Sequence, residues 1–230
     1  MKSRNLFVLM AAVVVMLFPG WGLSAELTIG VKAEPSSMDP HYHNLTPNNM
    51  MATYTFDKLI KQDNKQNLQP GLAVSWKPIN DLTWEFKLRE GVKFHDGSPF
   101  TAADVKFTLE RGPKVPNSPS SFTRYMKHIN KVEIVDDHTI RFSTPDPFPL
   151  MATYLSTFTV ISKKHGEGAA TKDYNSGKAM VGTGPFKFVE WIPGDRIVYT
   201  RNEEYWGEKR NGRKSFSSPY QTHRPGWRHF

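Results

Sequence analysis

Residues 82–105 constrain the fold more tightly than any other stretch of the chain. Leu82, Trp84, Phe86 and Leu88 alternate with Thr83, Glu85, Lys87 and Arg89. A period of two puts one set on a buried face and the other in water, so this strand needs a sheet with one covered side. Gly91 turns the chain into Val92-Lys93-Phe94, and Asp96-Gly97 turns it again. Thr101-Ala102-Ala103-Asp104 then opens a helix. Thr101 can accept from the backbone N–H three residues on and Asp104 can return the bond, a variant of the capping box. Val105, Thr108 and Leu109 share a helix face, and Gly112 is the expected C-cap.

The remaining elements are read the same way. Leu27-Thr28-Ile29-Gly30-Val31 alternates as a strand and runs into Glu34-Pro35-Ser36-Ser37-Met38-Asp39-Pro40, where two prolines and a polar cluster force a loop. Helical spacing of apolar residues predicts a helix from Asn48 to Ile60, and Pro70-Gly71 punctuates before the next unit. Gly112 to Ser121 is rich in proline and serine and reads as a loop. Val132–Val135 and Thr139–Phe142 form a predicted hairpin around Asp136-Asp137. Phe186–Glu190 and Arg196–Thr200 form a second antiparallel pair. Strands and helices mix without a regular βαβ alternation, which makes the class α+β. No internal repeat is present.

The 230 residues carry a formal charge of +8, which at first suggests a nucleic-acid or membrane-surface partner. Its distribution removes that suggestion. Lys2 and Arg4 are the charges of residues 1–25, and Lys209, Arg210, Arg213, Lys214, Arg224 and Arg228 those of residues 209–230. The body between, 26–208, holds every acidic residue and is neutral. Lys2 and Arg4 precede an apolar run, Leu6 to Phe18, followed by Pro19-Gly20 and by Leu23-Ser24-Ala25. The run falls short of the ~20 residues that span a bilayer. Residues 1–25 are therefore expected to be a secretory signal peptide, and the protein to be periplasmic. The absence of cysteine excludes disulfides, zinc-thiolate sites, iron–sulfur clusters and a cysteine nucleophile.

No catalytic constellation stands out, and no cofactor is expected. Asp136-Asp137 and Glu203-Glu204 are adjacent pairs whose side chains diverge, so they read as a turn and a solvated edge. His95-Asp96 could serve a secreted hydrolase as base and orienting acid, but it sits in a glycine-flanked turn without an activated-serine signature. His41-Tyr42-His43 has the most metal-like spacing, yet two imidazoles with no nearby acid fall short of the three or four ligands a site needs. Gly182-Thr183-Gly184-Pro185 lacks the lysine of a phosphate loop and is a tight turn. Loop aromatics at Tyr42, Phe122, Tyr125, Phe148 and Trp191 suit a cleft for an amphipathic small molecule.

Four stretches in this order carry a resemblance: Glu34–Pro40, Leu82–Val105, Gly182–Phe188 and Arg201-Asn202-Glu203-Glu204-Tyr205-Trp206. Together they resemble the family 5 extracellular solute-binding proteins of ABC transporters, which include periplasmic dipeptide-, oligopeptide- and nickel-binding proteins. The resemblance implies a non-enzymatic, monomeric protein with the N-terminal lobe of a two-lobed periplasmic-binding-protein fold of class II type. Such a protein captures a peptide or other small solute and delivers it to a membrane permease, with no nucleic acid involved. It implies a first lobe split into a core subdomain, 26–57 with 168–208, and an inserted subdomain, 58–167. It places ligand contacts at Tyr42, His43, Asn44, Leu45 and Thr46 and at Phe122 or Tyr125, with no metal site. A nickel or metal-chelate binder using His41 or His43 is the alternative within the family. Family members continue past the Asn-x-x-Tyr-Trp motif into a second lobe, whereas here the pattern stops near Lys209. Residues 209–230 show no strand or helix period and are expected to be a disordered, non-family tail ending a truncated, impaired protein. The rival reading is a basic tail that binds anionic lipid or nucleic acid.

Overall fold

The alternating stretch is the second strand of a four-stranded antiparallel sheet. In the computed structural model, which describes residues 26–31, 33–208 and 213–217, the expected signal peptide at 1–25 and most of the basic tail lie outside the described residues. The sheet orders β4 (Ala73–Asn80), β5 (Thr83–Leu88), β7 (Thr139–Ser143) and β6 (Lys131–Asp136) side by side. Trp84 faces Phe142 and Phe86 faces Ile140 across β5 and β7, and Phe86, Ile140 and Phe142 are fully buried. Helix α1 covers Thr46–Thr55 and α2 covers Ala102–Arg111. Val105 and Leu109 of α2 join the same core cluster as Phe86 and Phe142. The Thr101 N–H donates to the Asp104 carboxylate at 2.9 Å, the returning half of the expected capping box.

A second four-stranded sheet orders β1 (Glu26–Gly30), β10 (Arg213–Ser217), β9 (Arg196–Arg201) and β8 (Phe186–Ile192). A short ladder joins β2 (Ile60–Gln62) to β3 (Leu68–Pro70). Short helices α3 (Thr123–Met126), α4 (Met151–Leu155), α5 (Lys163–Gly166) and α6 (Thr171–Asn175) fill the connections. Two apolar clusters result. One draws on residues from Leu59 to Val160, and the other on Val31 to Phe56 with Ile161 to Tyr199.

Three expectations change. Helix α1 stops at Thr55 rather than Ile60, because the Thr55 carbonyl accepts from the Gly184 N–H at 2.8 Å and the Asp57 carbonyl from the Val160 N–H at 2.8 Å. Those long-range bonds hold the chain extended where local spacing alone would continue the helix. Gly112 is the C-cap of α2, as expected, but not in the left-handed conformation: its φ is −50° and a 3-10 turn, Gly112–Lys114, follows. The Met126 side chain packs against it, so a Cβ there would sit 2.6 Å from Met126 Cε and the thioether would have to shift. The tail is not structureless throughout either. Residues 213–217 form β10, parallel to β1 and antiparallel to β9. No apolar alternation marks this strand; two flanking strands offer their backbone groups to it instead.

Ser215 is the middle of β10, opposite Thr28 on one side and Val198 on the other. Proline there removes a ladder N–H from an interior strand. Hydrogen exchange on Ser215→Pro is expected to speed up over residues 26–30 while the β8–β9 hairpin keeps its protection; unchanged exchange in β1 would refute that dependence.

Candidate functional site

The loop that leaves β1 is anchored by a buried ion pair. Asp39 is buried, and Arg111, the last residue of α2, grips it with two bonds, Nη1 to Oδ1 at 3.0 Å and Nη2 to Oδ2 at 2.7 Å. The Thr171 hydroxyl adds a bond at 2.9 Å and the His41 N–H another at 3.0 Å. The guanidinium also lies 4.5 Å from the ring centroid of Tyr174. Burial alone would raise the Asp39 pKa; the bonds and positive charge of Arg111 outweigh it and hold the carboxyl below its ordinary value.

His41 sits beside this pair with no exposed surface. Its Nε2 lies 2.9 Å from the Thr159 carbonyl and its Nδ1 3.2 Å from Arg111 Nη1. The carbonyl can only accept and the guanidinium can only donate, so the ring is neutral with the proton on Nε2. Burial, reinforced by the Arg111 charge, pushes its pKa down to about 4. Both ring nitrogens are thus occupied by protein partners. Among the described residues no group of three His, Asp or Glu side chains could hold a metal ion.

Beyond His41 the loop lies along residues 118–121. His43 bridges Ser120 in parallel, the Asn44 N–H donates to the Ser120 carbonyl at 2.8 Å, and the Ser118 hydroxyl donates to the Tyr42 carbonyl. His43 Nδ1 is 2.9 Å from the Ser36 hydroxyl. Asn44 receives a bond from Asn49 at 2.8 Å and reaches the Tyr125 hydroxyl at 3.4 Å. Leu45 and Thr46 are exposed. The structure thus brings Tyr42, His43, Asn44, Leu45, Thr46 and Tyr125 to one rim. It places Phe122 elsewhere: that ring is fully buried, edge-on to His41 at 6.0 Å. A buried ring faces the core and not a ligand, so the aromatic left at the surface is Tyr125. Sequence reasoning missed Tyr154, which meets Tyr125 at 5.5 Å and Phe148 at 5.0 Å. It stands on the five-residue helix α4, too short to show a period.

The other motifs are structural. His95 Nε2 lies 3.0 Å from the Gly184 carbonyl, and its Nδ1 accepts weakly from the Gly182 N–H at 3.4 Å. Burial pushes its pKa down to about 4. On the other side of the turn a Cβ on Gly182 or Gly184 would run into the Thr55 backbone, so the glycines are required by close approach. Asp96 bonds Ser98, Lys164 and His165, not His95, so His95 and Asp96 do not pair as base and orienting acid. Buried Asp57 collects Thr183 at 3.2 Å, Tyr205 at 3.1 Å, Trp206 Nε1 at 2.8 Å and Lys61 at 3.1 Å. That is what the Asn-x-x-Tyr-Trp motif does here. It docks onto the segment following α1.

Residues 67–216 match the model of the bacterial extracellular solute-binding proteins, family 5 (middle region). The chain belongs to this family. The periplasmic murein peptide-binding protein MppA of Escherichia coli is 26% identical over 198 residues, covering 79% of this chain and 37% of the relative. The glutathione-binding protein GsiB of Pectobacterium atrosepticum is 32% identical over 191 residues, covering 82% and 36%. NikZ from Campylobacter jejuni, solved in complex with Ni(L-His), superposes with a TM-score of 0.74 at 28% identity, covering 85% of this chain and 39% of that one. The chain spans well under half the length of these relatives. The family match runs to residue 216, inside β10, so the family pattern does not stop at Lys209.

Two predictions follow from the buried groups. His41 and His95 bind a proton in the unfolded chain near pH 6.5 but in the folded chain only near pH 4. Their neutral-state stability is complete above pH 6.5 and is lost as pH falls from 6.5 to 4, about 2 kcal/mol per histidine by pH 5. Urea melts at pH 7 and pH 5 should show this loss, and His95→Asn should remove about half of it. Below pH 4 the protonation of Asp39 adds to the loss. Asp57→Ala leaves buried donors unpaired and should cost about 3 kcal/mol in the same assay; a variant as stable as the parent would contradict that role.

Proposed function

We propose that this chain forms the ligand-binding first lobe of a periplasmic solute-binding component of an ABC importer. In this reading residues 1–25 export it, it acts as a monomer, and it passes peptides or similar small solutes to a membrane permease. The two apolar clusters support subdomains at 26–57 with 168–208 and at 58–167. The observation that carries the reading is the rim, where Asn44, Leu45, Thr46 and Tyr125 stand over a rigid buried anchor. Extended backbone beside an aromatic suits a ligand with peptide groups and side chains. Relatives named for murein peptide and glutathione binding support that ligand class. A first lobe supplies one wall of such a cleft, and the facing wall is what encloses a ligand.

Similarity to a structure holding Ni(L-His) favours a second reading, a metal chelate held at the same rim with His43 rather than His41. Calorimetry with tri-alanine, glutathione and Ni(L-His) separates the two. Binding of tri-alanine or glutathione, weakened about tenfold by Tyr125→Ala through loss of the ring contact, is the expected result. Binding of Ni(L-His) alone would replace the peptide reading with the chelate reading.

A further inference from the structure

We infer that Arg124 makes this rim selective for ligands that carry a carboxylate or a similar anionic group. This rests on the solute-binding reading and names the ligand chemistry of the same site. Arg124 is exposed, and its guanidinium carbon lies 5.1 Å from the centroid of the Tyr125 ring. A guanidinium resting against an aromatic face keeps N–H groups available for a two-bond grip on a carboxylate.

The surroundings leave that edge without an internal partner. Arg111, Arg141, Arg196 and Arg201 each reach a carboxylate, whereas Arg124 forms no ion pair among the described residues. Neither segment of the rim supplies one: residues 40–56 contain no charged Asp, Glu, Lys or Arg, and residues 112–132 contain no Asp or Glu. The nearest acid along the loop, Asp39, is already held by Arg111 and Thr171. Lys127, exposed on the same acid-free segment, adds a second positive charge. The body of the protein is neutral overall, so this unbalanced patch is local to the rim and not a sample of a basic surface. Tyr125 also reaches Asn44, which sets the cation next to the groups that would bind a peptide backbone.

The test uses the full chain and three probes: tri-alanine, its C-terminal amide, and Ala-Glu-Ala amide. Calorimetry should show the two carboxylate-bearing peptides binding at least tenfold more tightly than the tri-alanine amide. Arg124→Gln should erase that difference and leave the amide affinity unchanged. Arg124→Lys should keep part of it, since the charge stays and the fork is lost. Circular dichroism melts verify that both variants fold. Equal affinity for all three probes in the parent protein overturns the inference and leaves the solute-binding reading standing. So does an equal loss for all three in Arg124→Gln, which marks a structural role. Failure of every probe to bind overturns the peptide reading and the inference together.

Discussion

The buried Asp39–Arg111 pair is the interaction on which the rest of this lobe depends. A pair of this kind adds little net stability over a well-packed apolar contact, but breaking one half leaves a charge with nowhere to go, at a cost of about 3–5 kcal/mol. Its value lies in position. Asp39 comes from the loop after β1, Arg111 from the end of α2, and Thr171 and Tyr174 from α6. One carboxylate therefore fixes three segments distant in the sequence. His41 fills the adjoining space, and the chain that emerges from it has only one course to follow, along residues 118–121.

Asp57 plays the matching role at the other side of α1. The helix is short because its exit is claimed from outside: the turn at Gly182–Gly184 takes the Thr55 carbonyl, and Tyr205 and Trp206 take the Asp57 carboxylate. The glycine turn is itself pressed between Thr55 and His95. Three sequence motifs that look like separate signatures are one packed assembly.

What the sequence reveals follows from the range of the forces involved. The β5 alternation, the β6–β7 and β8–β9 hairpins and the start of α2 are legible because their causes lie within a few residues. The ends of α1 and the backbone of Gly112 are not, because hydrogen bonds and contacts from remote segments decide them. At the rim, resemblance alone points to the loop residues Tyr42 to Thr46, and of these Asn44 reaches Tyr125. The inward turn of Phe122 was invisible, since a loop offers no period from which to assign a face. β10 was hidden for the opposite reason, having a backbone role and no pattern of its own.

The position of β10 also orders events in time. In its sheet β1 pairs with β10 alone, and those two strands stand almost a full chain length apart. Contacts so distant in sequence form late, because the intervening loop must close before they repay its entropy. The hairpins β6–β7 and β8–β9 can assemble as soon as they are made. The first strand to leave the ribosome is thus among the last to settle, and the loop that bears Asp39 settles with it.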